Sequence, residues 1–234
     1  EALTAIEEAV EHYRLLADAN PAAYLPDLAM SLNNLSNWLD GLGRRDEALT
    51  PAQEAVEHYR LLADANPAAY LPDLARSLNN LSNRLGELGR RNEALTAIKQ
   101  AVEAPRKLAD ASPAAYLPNL ARSLNNLSNR LGELGRRDEA LTAIEKAVEH
   151  YRLLVDANPA AYLPDLAMSL NNLSGTLDEL GRRDEALTAI EEAVKHYRLR
   201  FEAHRVAHHP GPRRSPNNHS NKSGELGRRH EAPT

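Results

Sequence analysis

Leucines spaced three and four residues apart mark one segment in every stretch of about 46 residues. In the first complete stretch they fall on a single stripe of a helix, at Leu28, Leu32, Leu35, Leu39 and Leu42. Gly43 follows, and glycine is the residue that most readily takes the left-handed conformation after a helix end. The pattern therefore predicts an amphipathic helix, called helix A, that ends near Gly43.

A second amphipathic segment, called helix B, follows each helix A. Its apolar stripe in the first stretch runs through Ala48, Leu49, Ala52, Ala55, Val56 and Tyr59. We expect Asp46 to cap its start. Asn66-Pro67 should end it, because a residue before proline avoids helical geometry. Residues 68–72 would then link to the next helix A, and each unit is predicted to be a helical hairpin.

The hairpin repeats without a slip in register. The string Glu-Ala-Leu-Thr recurs every 46 residues, at Glu1, Glu47, Glu93, Glu139 and Glu185. One hairpin cannot bury both of its apolar stripes, so neighbouring units must stack into a solenoid. We predict an all-α repeat array over residues 1–203, with an orphan helix B at 1–19 and then four A–B hairpins, nine main helices in all.

The last unit has lost the leucine pattern. One period after Leu166, Leu170, Leu173 and Leu177 stand Pro212, Pro216, His219 and Ser223. A helix A without its apolar stripe has nothing to bury. We therefore predict that residues 204–234 are a degenerate, basic and largely irregular tail.

The repeat resembles a tetratricopeptide repeat, and most closely the kinesin-light-chain variety with its Leu-Asn-Asn-Leu helix A. The residues that carry the resemblance are Leu32, Leu35, Ser36 and Leu39, followed by Gly43, Ala48, Ala52 and Ala55. The period of 46 rather than about 34 residues departs from the family and predicts a longer helix B and link. The resemblance implies a right-handed superhelical solenoid of antiparallel helix pairs, with helices A lining a concave surface that binds peptides.

Charge and composition narrow the classes of function. Residues 1–203 carry 22 basic and 31 acidic residues, and residues 204–234 carry 6 and 2. A body with net charge −9 and no basic face argues against nucleic acid as a partner. No apolar run is long enough to span a bilayer, no signal sequence opens the chain, and we expect no membrane partner and a cytoplasmic location. Arginine outnumbers lysine 23 to 5, which hints at a GC-rich, bacterial genome.

No residue set for catalysis stands out. The recurring serines lie beside leucines without a base to activate them, and there is no glycine-rich phosphate loop and no cysteine. The tail histidines His204 and His208 lack an acidic partner and precede Pro210. We predict no enzymatic activity, no cofactor and no metal.

Asparagines opposite the leucine stripe of helix A are the candidate binding residues. They recur at Asn33, Asn34, Asn37, Asn79, Asn80, Asn83, Asn125, Asn126, Asn129, Asn171 and Asn172. Asparagine is a poor helix former, and its amide can both donate to and accept from the backbone of an extended peptide. We expect these residues to line the concave groove. The alternative is a solvated polar face copied by duplication.

Four arginines lie near these asparagines, at positions where the units differ from one another, and they determine which ligand charge we expect. Arg76, Arg84, Arg122 and Arg130 belong to the two inner units, where they would favour acidic peptides. The alternative for Arg84 and Arg130 is pairing along the helix with Glu87 and Glu133.

The preferred function is therefore a scaffold that binds extended segments of other proteins. One alternative is a structural spacer that self-associates head to tail, through the stripes of Leu3, Ile6, Val10 and Tyr13 at one end and Leu187, Ile190, Val194 and Tyr197 at the other. Another is a regulatory segment of a larger bacterial signalling protein whose catalytic domain lies outside this sequence.

Overall fold

The computed structural model describes residues 2–109 and 113–208, with side chains over 2–106 and 116–198. These residues form α-helices and no strand. The nine helices of this part of the chain are α1 (Ala2–Ala19), α2 (Pro21–Gly41), α3 (Arg45–Ala65), α4 (Pro67–Glu87), α5 (Arg91–Ala109), α6 (Pro113–Glu133), α7 (Arg137–Ala157), α8 (Pro159–Glu179) and α9 (Arg183–His208).

The described helices alternate along the chain between the two types of the repeat. The helix at 2–19 is the orphan helix B, and α2, α4, α6 and α8 are helices A. The helices B that follow them are α3, α5, α7 and α9, so the prediction of an all-α repeat array is confirmed. The helix α9 continues to His208, and the rest of the predicted irregular tail, 209–234, lies outside the described residues.

The predicted link between helix B and the next helix A is wrong. Residues 68–72 form the first turns of α4, which begins at Pro67, and only Asn66 separates it from α3. Proline is well placed at a first helical position, where no backbone N–H is needed. The Asn66 side chain caps the helix by accepting from the Ala69 N–H at 3.3 Å. Asn20 and Asn158 repeat the arrangement.

The turn from helix A to helix B is set by glycine. Gly43 has φ +75°, as predicted for a left-handed cap. The Gly43 N–H donates to the Asp40 carbonyl at 2.7 Å and the Arg44 N–H to the Leu39 carbonyl at 2.9 Å. Gly89, Gly135 and Gly181 share the conformation.

The predicted cap of helix B is wrong. The helix begins at Arg45, and Asp46 lies inside its first turn. The preceding residue, Arg44, makes no side-chain cap and instead bonds Glu47 through two contacts of 2.8 and 2.5 Å. The pKa of Glu47 is lowered mainly by the hydrogen bonding to Arg44, and also by the positive charge of Arg44. An acidic residue in the first turn also opposes the positive end of the helix dipole.

Each helix B that is followed by a described helix A buries its stripe against that helix. Val56 and Tyr59 of α3 pack in one cluster with Leu74 and Leu78 of α4. Neighbouring helices A approach each other closely, whereas neighbouring helices B do not within the described residues. The stack therefore curves, with helices A on the inner, concave side and helices B on the outer side.

Long side chains bridge the outer gaps between successive helices B. The spacing is always 40 residues, as in Arg14–Glu54 at 2.6 Å and Arg152–Glu192 at 2.8 Å. Arg60 bonds the neutral Gln100 at 2.6 Å. At the joint of α5 with α7 the same register places Lys146 opposite Arg106, which bonds Glu103 of its own helix instead. This joint therefore lacks the bridge that the other three possess.

We expect Lys146→Glu to stabilise the array, because it places a carboxylate opposite Arg106 and creates a bridge at the joint of α5 with α7, which has none among the described residues. The gain should be about 0.5 kcal/mol, as for other exposed ion pairs. Urea unfolding followed by circular dichroism measures it. The reverse change, Glu192→Lys, is the matched control and should cost a similar amount. An unaltered or lowered stability of Lys146→Glu would show that Arg106 does not reach across the gap.

Candidate functional site

The asparagines predicted to line the concave surface divide by depth into two groups. Asn33, Asn79 and Asn125 are only 6%, 4% and 2% exposed. The others are half-buried or exposed, namely Asn34, Asn37, Asn80, Asn83, Asn126, Asn129, Asn171 and Asn172. Adjacent asparagines thus occupy different environments.

Two of the buried asparagines, Asn33 and Asn79, join their helix A to the next one, whereas the corresponding serine of the last joint, Ser169, has a buried hydroxyl without a hydrogen-bond partner. The Asn33 amide donates to the Ser77 hydroxyl, and Asn79 Nδ2 donates to Ser123 Oγ at 2.7 Å. Asn79 Nδ2 also lies 2.7 Å from the Ala75 carbonyl of its own helix. Both serines are fully buried, so these contacts satisfy polar groups that water does not reach.

From the second unit on, the second asparagine of each unit bonds back to the first asparagine of the unit before. Asn126 Nδ2 donates to Asn79 Oδ1 at 2.8 Å, and Asn172 Nδ2 to Asn125 Oδ1 at 3.1 Å. Asn80 makes the equivalent contact with Asn33 at 3.4 Å. An amide therefore crosses every joint between helices A, and it fixes how neighbouring units align.

A third row of amides is left open to solvent. Asn37 and Asn129 are exposed and Asn83 is half-buried. These three residues occupy the same position in successive units, so the array presents them at regular intervals along its concave surface. Gly175 holds this position in the fourth unit.

Three of the four candidate arginines are engaged in ion pairs. Arg76 pairs with Asp73 of its own helix. Arg84 is almost fully buried between Glu87, at 3.0 Å, and Asp40 of the preceding unit.

Arg130 is the third, and pairs with Glu133 at 2.9 Å. Its guanidinium covers Gly86 of the preceding unit, where a Cβ would lie 1.8 Å from Nη1. The pairing with Glu87 and Glu133, the alternative considered from the sequence, is therefore present for both Arg84 and Arg130.

Arg122 differs from the other three arginines. It is exposed and forms no ion pair among the described residues. The aspartate that pairs with Arg76 is replaced here by Asn119. Burial raises the pKa of the neighbouring Tyr151, an effect that the Arg122 charge opposes. Arg122 is thus an exposed cation of α6 without a carboxylate partner among the described residues.

Apolar side chains flank this cation. Met30 and Met168 occupy in the outer units the position that Arg76 and Arg122 hold in the inner ones, and both are exposed. Trp38, at the N-terminal end of the same surface, is half exposed as well. The surface therefore changes from apolar to cationic and back to apolar along its length.

We expect Asn79→Ala to destabilise the array by about 1–3 kcal/mol, because the Ser123 hydroxyl and the Asn126 amide would lose their buried partner. The exposed Asn129 is the matched control, and Asn129→Ala should change the unfolding free energy by less than about 0.5 kcal/mol. Urea unfolding of both variants provides the comparison. Equal effects would contradict a structural role for the buried amides.

The chain belongs to the tetratricopeptide repeat family. It matches the family over residues 28–64, 74–108, 120–159 and 166–210, one segment for each hairpin. Repeats of this family generally act as scaffolds for protein–protein interaction. No curated protein matches the sequence. No described helix is both long and apolar enough to cross a membrane.

Several solved structures share the fold at low sequence identity. A putative kinesin light chain of Podosopora anserina with nearly identical TPR-like repeats is 19% identical, with a TM-score of 0.57 over 82% of this chain and 87% of that one. BtubC (BKLC) from P. vanneervenii is 20% identical, with a TM-score of 0.53 over 97% of both chains. Aspartyl phosphate phosphatase F from Bacillus subtilis is 14% identical, with a TM-score of 0.59 over 78% of this chain and 43% of that chain.

Proposed function

We propose that the concave surface of helices A binds an extended segment of a partner protein. The observation that carries the proposal is the row of open amides at Asn37, Asn83 and Asn129. Each amide can donate one hydrogen bond and accept another, which suits the alternating N–H and C=O groups of an extended backbone.

The buried asparagines have a positioning role in this proposal. Contacts such as Asn79 to Ser123 and Asn126 to Asn79 hold neighbouring helices A in fixed alignment. A row of ligand groups gains affinity when its spacing is fixed before the ligand arrives, because less freedom is lost on binding. The predicted site residues thus have two roles: some bind the ligand directly, and others fix the spacing of those that bind it.

The preference for acidic ligands is assigned mainly to one arginine. Arg76, Arg84 and Arg130 already face carboxylates of the chain. Arg122 lies near the middle of the surface without such a partner among the described residues, and arginine can grip a carboxylate through two hydrogen bonds. We therefore expect one Asp or Glu near the centre of the bound segment, with apolar residues toward Met30 and Met168.

Binding to an array of immobilised extended peptides, with one acidic residue moved through a neutral sequence, tests the proposal. We expect the triple variant Asn37→Ala, Asn83→Ala, Asn129→Ala to bind at least about tenfold more weakly, as for loss of central polar contacts. The exposed outer leucines offer a control, and Leu61→Ala with Leu153→Ala should bind like the unchanged chain.

A second variant separates the preference for an acidic ligand from the ability to bind a peptide. Arg122→Met copies the residue found at this position in the outer units. It should retain binding and lose the preference for the acidic residue. Peptide binding that is unaffected by the three asparagine changes would refute the proposed surface, and an unaltered ranking in Arg122→Met would refute the assigned charge contact.

A further inference from the structure

The helix α9 carries an apolar stripe that the described part of the chain leaves open. Leu187, Val194 and Tyr197 are 57%, 41% and 44% exposed. Their counterparts one unit earlier are Leu141, Val148 and Tyr151, which are 9%, 2% and 1% exposed.

The same stripe is covered by a helix A at each earlier joint. Val148 and Tyr151 of α7 share a cluster with Leu166 and Leu170 of α8. Farther along α8, Leu177 packs in one cluster with Leu141. The open face of α9 therefore continues an interface whose second partner is known from the same chain.

The opposite side of α9 is already occupied. Ala186, Ala189 and Ala193 are buried, and Ala193 packs in the cluster that contains Leu166 and Leu170. Since these small residues hold α9 on α8, a ligand on the other side would not have to displace the contacts of α9 with the other described helices.

The sequence that follows α9 does not carry the expected partner pattern. At the places of Leu166, Leu170, Leu173 and Leu177, one period on, the chain has Pro212, Pro216, His219 and Ser223. Proline lacks the backbone N–H that a helix interior needs, and histidine and serine do not supply the buried leucine surface.

We propose that the open face of α9 binds an amphipathic helix of another polypeptide, in the position of a fifth helix A. The partner helix would present leucines at spacings of four, three and four, as Leu166, Leu170, Leu173 and Leu177 do in α8. Recognition is of the helix-in-groove type, with apolar anchors on one face of the ligand. This site lies on a helix B at one end of the array and is independent of the concave surface.

The described residues of a second copy offer no free helix A for this position, because α2, α4, α6 and α8 each pack between two helices B. Stacking of these residues end to end would place α9 of one copy against α1 of the other, both helices B, without a leucine stripe of helix A between them. The predicted head-to-tail association is therefore the competing outcome of the test.

The probe for the experiment is a fluorescein-labelled peptide with the sequence of residues 158–180, which contains α8 and its Asn158 cap. Titration of the full chain into the peptide should raise the fluorescence anisotropy to saturation, and circular dichroism should show a gain of helix. The double variant Leu187→Glu, Val194→Glu should bind at least about tenfold more weakly, because two apolar anchors of the face are lost.

Two controls make the result specific to this face. Leu61→Glu with Leu153→Glu places the same charges at similarly exposed leucines of other helices B and should bind the peptide normally. A peptide with Leu166→Ser and Leu170→Ser should not bind. The triple asparagine variant of the concave surface should bind the helical peptide normally, so the two proposed sites are tested independently of each other.

Three results would overturn the proposal. One is an absence of saturable binding by the full chain. Another is equal binding by the leucine-to-serine peptide or by the α9 variant. The third is self-association through this face. In that case the molar mass from light scattering would rise with the concentration of the unchanged chain but not with that of the Leu187→Glu, Val194→Glu variant, and the peptide would not bind.

Discussion

The fold depends on one packing requirement, namely that each helix B needs the next helix A to bury its apolar stripe. Val56 and Tyr59 of α3 are buried where α3 packs against α4, whereas their counterparts Val194 and Tyr197 on α9 are exposed. Burying such side chains contributes roughly 1.5–3 kcal/mol each. Stability is therefore distributed over the joints rather than held in one core, and any joint can be weakened or extended without rebuilding the others.

A second requirement acts on the concave side, where helices A meet and polar groups become buried. Ser77 and Ser123 are fully buried there, and the amides of Asn33 and Asn79 satisfy them. Unsatisfied buried polar groups are costly, so alignments of α2 with α4, or of α4 with α6, that break these bonds are disfavoured. The same contacts that stabilise the joint therefore set the spacing of the open amides proposed to bind a peptide.

The period, the leucine stripe and the glycine at residue 43 predicted the helical hairpins, because these signals are local and repeat many times. The start of α4 was missed, since the prolines at 67 and 72 suggested a link although Pro67 fits a first helical turn. The degree of burial of each asparagine on helix A could not be predicted from the sequence either. Asn33 and Asn34 are adjacent and chemically alike, and only the position of the neighbouring helix makes one buried. Arg84 likewise meets Asp40 across a joint, at a separation of 44 residues that no helix-periodic pattern reveals.

The central claim, that stability comes in equal contributions from stacked hairpins and their joints, is tested most directly by lengthening the array. Residues 139–184 can be duplicated once or twice after Asp184, where the Glu-Ala-Leu-Thr register is preserved. Equilibrium urea unfolding of the three lengths should show the unfolding free energy rising by the same increment with each added unit, since each brings one hairpin and one joint. An unfolding free energy that does not rise with added units would contradict the account.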